Sequence, residues 1–248
     1  MIHRPDPDGT LLIGQPAHAW ISGRMARAWK WPFQPWEDVC LAAEQHDIGM
    51  AAWDARPELD PATGLPYSFT SMPRAMHVGL WSEAARLLLP QGRYPALLVS
   101  LHGTGLYERY LPADQLAAEP TRSYLAGERE FQSSLRRSLD AEPAEVDDAV
   151  ALVRCWDWMS LFLCTAESDR STMEAVPSCE GEQVTLEMAW IDGDPARVRV
   201  DPWPFLEPSL TLTVEGRLLA GRYDDRESML RALDASPWRT ITLRLSQL

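Results

Sequence analysis

The sequence predicts a mainly α protein that closes with a small C-terminal antiparallel β-sheet, α+β overall. Two observations carry this. Over the first two-thirds of the chain, apolar residues recur at spacings of three and four, as on helices with one buried face. After Pro177 the period changes to two, as in half-buried strands. The implied organisation is a helical domain over residues 1–178 and a β-rich subdomain over 179–248 packed on it. A sheet that small has little core of its own.

Leu11-Leu12-Ile13 is a short strand candidate, and Pro16 suits a first helical position. The helix from Ala17 to Trp29 puts His18, Ile21, Met25 and Trp29 on one face. Pro32 and Pro35 interrupt before a second helix, Trp36 to about His46. Residues 48–69 read as a long loop, whose Trp53, Tyr67 and Phe69 either roof a pocket or only pin the loop down. A third helix, Pro73 to Leu89, aligns His77, Leu80, Trp81, Ala84, Leu87 and Leu88. A fourth, from Pro95, aligns Leu98, Val99, His102, Leu106 and Arg109. Gly103 and Gly105 each cost a helix about 1 kcal/mol against Ala. Either something approaches closely beside His102, or the helix ends or kinks there. Residues 119–139 form a charged, solvated helix, and Pro143 opens one that aligns Val150, Val153, Asp157 and Leu161. Alternation at residues 183–188, 197–200, 210–214 and 240–245 gives the strands, with a short helix over 225–233.

The net charge of −13 leaves no basic footprint, which argues against nucleic acid or an anionic membrane and leaves a small-molecule partner. Lys30 is the only lysine. Cys40, Cys155, Cys164 and Cys179 show no close-spaced zinc pair. The apolar run 150–164 is too short and too charged to span a bilayer. The polar, proline-containing start is unlike a signal peptide, so a reduced, cytoplasmic setting is expected. Gly-x-Ser-x-Gly, P-loop and dinucleotide-binding glycine motifs do not occur.

The stretch Ala42-Ala43-Glu44-Gln45-His46-Asp47-Ile48-Gly49 sets an imidazole beside a carboxylate at the end of a helical run. Neighbours on a helix diverge by about 100°, so both reach one point only near a helix end or with one side chain bent back. His18, His77 and His102 lie on apolar faces, and each alone is as simply a satisfied core histidine. Asp157 sits on an apolar stripe, where a carboxylate is expensive unless it meets a cation. That cation is either a metal ion or Arg154, three residues earlier.

Taken in order, His18, His46-Asp47, His77, His102 and Asp157 resemble the HD-domain superfamily of metal-dependent phosphohydrolases over roughly residues 10–165. The resemblance is to its two-metal members, which include phosphodiesterases and a branch of diiron oxygenases. It implies an HD-like helical bundle with a dinuclear site for iron, manganese or zinc. His18, His46, Asp47 and Asp157 would hold one ion and His77 and His102 the other, with Asp47 bridging. Asp47 would be catalytic, and Arg109, seven residues after His102 and so on the same helix face, is the candidate to hold a substrate phosphate beside it. Arg24 and Arg154 are weaker candidates, and each arginine is as simply a surface ion pair. Many relatives carry Lys after the His-Asp-x-Gly tetrad, where this chain has Met50. The stretches Gly64–Phe69 and Leu98–Tyr107 also resemble a bacterial family of unknown function. A phosphohydrolase of a small phosphoester or nucleotide is the first expectation. A diiron oxygenase of a small polar substrate is the second, and a non-catalytic metal module the third.

Overall fold

The chain opens with a hairpin, β1 (Ile2–Asp6) and β2 (Gly9–Ile13), in a computed structural model that describes residues 1–139 and 142–247. Pro16 then starts α1 (Gln15–Ala28), and Pro35 precedes α2 (Trp36–Gln45). The stretch expected as one long loop holds a 3-10 turn at Ile48–Met50, a short α3 (Ala51–Ala55) and a two-stranded ladder, β3 (Leu59–Asp60) with β4 (Leu65–Pro66). Next come α4 (Arg74–Leu88), α5 (Arg93–Tyr110), α6 (Ala113–Ala117), α7 (Thr121–Leu139) and α8 (Pro143–Thr165). The remainder is β5 (Arg170–Pro177), β6 (Gln183–Ile191), β7 (Asp194–Asp201), β8 (Ser209–Leu219), α9 (Arg226–Ala235) and β9 (Trp238–Ser246).

The fold class differs from the sequence expectation. The protein is a mixed α/β fold around a curled seven-stranded sheet, with 51% helix and 25% strand, and neither all-α nor mainly α with a small β appendage. The sheet order is β1-β2-β8-β9-β7-β6-β5, so strands from both ends of the chain share it. It is not wholly antiparallel either, because β7 and β9 pair in parallel, Val198 opposite Leu245. The two unforeseen strands, β1 and β5, are the two edges. An edge strand needs less apolar alternation and tolerates proline. Ile2-His3-Arg4-Pro5-Asp6 and Arg170–Pro177 fit that description and hide from a period-two search.

One core runs from the helices into the sheet. Leu97, Leu98 and Val153 belong to the same buried cluster as Val198, Leu212 and Leu243. Trp29 joins the layers, with ring centroids 5.5 Å from Trp156 and 5.4 Å from Phe205, both edge-to-face. Such pairs add about 0.5–1.5 kcal/mol beyond their area. Arg4 of edge strand β1 is buried and donates to the carbonyl of Leu163, at 2.7 Å, near the end of α8. A cation there complements the helix C-terminus. It fastens the sheet edge to the helix that carries Asp157. Among the described residues no helix is long and apolar enough to cross a membrane, and the four cysteines are free thiols.

Candidate metal centre

α2 ends at Gln45, His46 still has helical dihedrals, and Asp47 turns out at φ −106°, ψ 17°. That turn breaks the helical divergence of neighbours and lets both side chains face the same interior. Gly49 makes it possible, since a Cβ there would collide with the Leu80 carbonyl of α4. Three helices close around the pair, with His18 from α1, His102 from α5 and Asp157 from α8. These five side chains belong to residues at most 5% exposed.

The rings are held from behind. His18 Nδ1 bonds Ser160 Oγ at 2.8 Å. Ser160 spends its own proton on the Asp157 carbonyl, so His18 Nδ1 is the donor and Nε2 faces inward. There Nε2 lies 2.7 Å from Asp47 Oδ2. His46 Nδ1 donates to the Ala43 carbonyl at 2.9 Å, which also turns its Nε2 inward. That atom approaches Asp157 Oδ1 to 3.4 Å and Asp47 Oδ2 to 3.7 Å, yet makes no hydrogen bond. His102 Nε2 is 3.4 Å from Asp157 Oδ2, and neither of its ring nitrogens is hydrogen-bonded. Asp47 Oδ1 is buried and unpaired too. So many unfilled polar atoms facing one another are costly unless something binds them.

The donors form two overlapping sets, His18/His46/Asp47 and His46/His102/Asp157, in each of which the ligand atoms lie within 4.8 Å of one another. Burial penalises every charge here, but mutual attraction prevails at most positions. Burial works against a charged His46, yet facing Asp47 and Asp157 raise its pKa to about 9. Burial also opposes the carboxylates, but His46 and His18 hold Asp47 below its usual value, and His102 and His46 hold Asp157 below its own. For His102 burial wins, and its pKa is lowered. Imidazole nitrogens with carboxylate oxygens are a donor set for first-row divalent ions. Outer nitrogens tied to protein oxygens are the support that such ligands ordinarily have.

The cluster lines a cavity of about 350 Å³ whose walls also include Phe69, Arg74, His77, Trp81 and Tyr107. His77 is brought to this cavity but not into either donor set. Its Nδ1 bonds the Tyr107 hydroxyl, and its Nε2 accepts from Trp81 Nε1 at 3.3 Å. Burial lowers its pKa to about 4, so the ring is neutral. Arg109 is exposed near the end of α5 and does not line this cavity, and Arg24 is exposed on α1. Arg154 makes no ion pair with Asp157. Gly103 is explained by close approach, since a Cβ there would sit 2.6 Å from the Trp81 ring. Of the loop aromatics, Phe69 lines the cavity, while Trp53 and Tyr67 pack on the apolar cluster of Met50, Trp81 and Tyr107.

Sequence reasoning missed Arg74, Tyr107 and Ser160. Arg74 stands three residues before His77, one helical turn away, and its guanidinium lies 5.3 Å from the Tyr107 ring. The spacing held that signal. Ser160 had a weaker one, as a polar residue three after Asp157 in an apolar run.

A family model described as a protein of unknown function (DUF3891) matches residues 1–221. The chain belongs to that family. No curated protein and no solved structure matches it. The DUF3891 match spans both the five ligand-type side chains and most of the sheet.

Proposed function

We propose that this DUF3891 member is a metal-dependent phosphohydrolase acting on a small phosphoester or nucleotide. Its ion, iron, manganese or zinc, would be held by His18, His46, Asp47, His102 and Asp157. One observation carries the reading: His18 and His46 spend their outer nitrogens on Ser160 and Ala43 and present buried Nε2 atoms to two carboxylates. A bound ion would supply Lewis-acid chemistry, lowering the pKa of a coordinated water and polarising a phosphoryl oxygen. The chain supplies the rest. Arg74 at the cavity wall offers a guanidinium to phosphate oxygens. Tyr107, its pKa raised by burial to about 12, stays protonated and can donate to a leaving oxygen while His77 orients it. A second ion is less well supported, because both His77 nitrogens are engaged. The four free thiols favour a reducing, cytoplasmic setting.

A diiron oxygenase remains the second reading. Phe69, Trp81, Leu106, Leu111 and Leu161 make much of the cavity apolar, and Met50 is buried where many members of the HD superfamily that the sequence resembles carry Lys. Metal analysis and two assays separate the readings. Expected is nitrophenol release from bis-nitrophenyl phosphate that persists with manganese and disappears in Asp47→Ala. Substrate-dependent oxygen uptake by the reduced iron form, without hydrolysis, would overturn it. Bound metal with neither activity would favour a sensory or structural module.

A further inference from the structure

A second cavity of about 400 Å³ adjoins the first, sharing Leu106, Tyr110, Asp157 and Leu161 and adding Arg109 and Arg154. Many arginines of this acidic chain find carboxylates, as Arg27 does with Glu44 and Arg129 with Glu108, and others, such as Arg4 and Arg93, spend their guanidinium on backbone carbonyls. Among the described residues neither Arg109 nor Arg154 is in an ion pair. Arg154 is half-buried, and its Nε is buried without a hydrogen-bond partner. Burial, and then repulsion from Arg109, lower its pKa from the usual arginine value. Two cations from α5 and α8 are thus held together in a cleft with no anion between them. The nearby carboxylates do not fill that role. Asp157 turns its oxygens towards His46 and His102, and Glu174 is an exposed residue on β5 at the rim.

We infer that Arg109 and Arg154 form an anion subsite, which binds a second phosphate or carboxylate of a substrate whose reacting phosphoester lies in the adjoining histidine–aspartate cavity. The substrate class is then a small molecule with two anionic groups. The assignment of the reacting end rests on the phosphohydrolase reading, whereas the subsite stands on the arginine pair alone. A planar guanidinium presents a fork that matches phosphate or carboxylate oxygens, and a neighbouring cation adds field. In this reading Arg109 binds and positions and does not touch the reacting atoms.

Calorimetric titration of the full chain with inorganic phosphate, and separately with malonate, tests this. Expected is saturable binding of at least one of the two, which tells a phosphate subsite from a carboxylate one. Arg154→Gln and Arg109→Gln should each weaken it about tenfold or more, and Arg154→Lys less. Glu174→Gln should tighten it, and Arg231→Gln on α9 should leave it unchanged. Arg109 is exposed, so its variant folds even if Arg154→Gln does not. No binding of either anion to the wild type, or equal binding in both glutamine variants, overturns the subsite. Metal content measured on the same samples keeps the two readings apart. Anion binding that depends on the arginines in a protein that takes up no metal removes the hydrolase reading alone. Metal uptake with no arginine-dependent binding removes the subsite alone.

Discussion

The two walls of the first cavity both present histidine, and they treat it in opposite ways. On the inner wall, His18 and His46 are tethered by Nδ1 and leave Nε2 facing carboxylates. On the outer wall, the partners of the His77 nitrogens are Tyr107 and Trp81, and neither is a carboxylate. Burial is similar in kind on both walls, and so is the apolar helix face that carries each ring. In the proposed metal site, the ligands would differ from a wall residue in what the second nitrogen faces. One tethered nitrogen fixes the tautomer and aims the other. The second nitrogen of His77 instead accepts from Trp81 and faces no carboxylate.

The most severe way to break this comparison is to measure metal. His46→Ala and Asp157→Ala should bring the metal content of purified protein down to background, while His77→Ala retains the tightly held ion. Inductively coupled plasma analysis of folded samples reads this directly. If His77→Ala loses half the metal, then two ions are present and the outer wall is a ligand wall after all. A milder test cuts the tether and leaves the ligands. Ser160→Ala removes the acceptor behind His18 Nδ1, and loss of such a partner typically weakens metal affinity about 10–100-fold. Competition with a chelator measures the shift. Unchanged affinity would mean that packing alone orients His18.

How far the sequence reached follows the same logic. The five inner-wall residues were singled out by their order along the chain, through the resemblance to the HD superfamily; taken singly, a carboxylate on an apolar helix stripe is the kind of cost that asks for a reason. Asp157 is the plainest example. Periodicity gives the direction of a side chain but not its partner, so His77 read the same as His18. Arg74 escaped because it is exposed, where an arginine needs no explanation, and Arg109 was placed by face alone, two turns beyond His102. In the fold, β6 to β9 were readable from their alternation, but the edges β1 and β5 were not. Nor was the parallel β7–β9 pairing, which depends on how β8 and α9 route the chain between them. The sheet therefore grew beyond its expected size through strands that carry little apolar pattern of their own.

His3 offers the smallest and most selective check, because it is a partly buried histidine that no carboxylate cluster stabilises. It sits on β1 opposite Leu12, with Nε2 buried and unpaired. Burial lowers its pKa to about 4, and the field of Asp60 does not restore it. The unfolded chain takes up this proton near the ordinary value of about 6.5. Between those two values the unfolded state binds more protons than the folded one, so stability must fall as pH falls. The contribution is complete above about pH 6.5, declines through the window and levels off below about 4. His46, raised instead, tilts the curve the other way in the same protein, so the wild-type profile alone is not diagnostic. The difference between wild type and His3→Gln cancels that background. Urea unfolding at about pH 7.5 and about pH 5 should show the wild type losing more stability than His3→Gln, since only the former has a proton to gain. Equal losses would mean that His3 is solvated and charges freely in the folded sheet edge, and that the contrast between tethered and untethered histidines ends at the cavity.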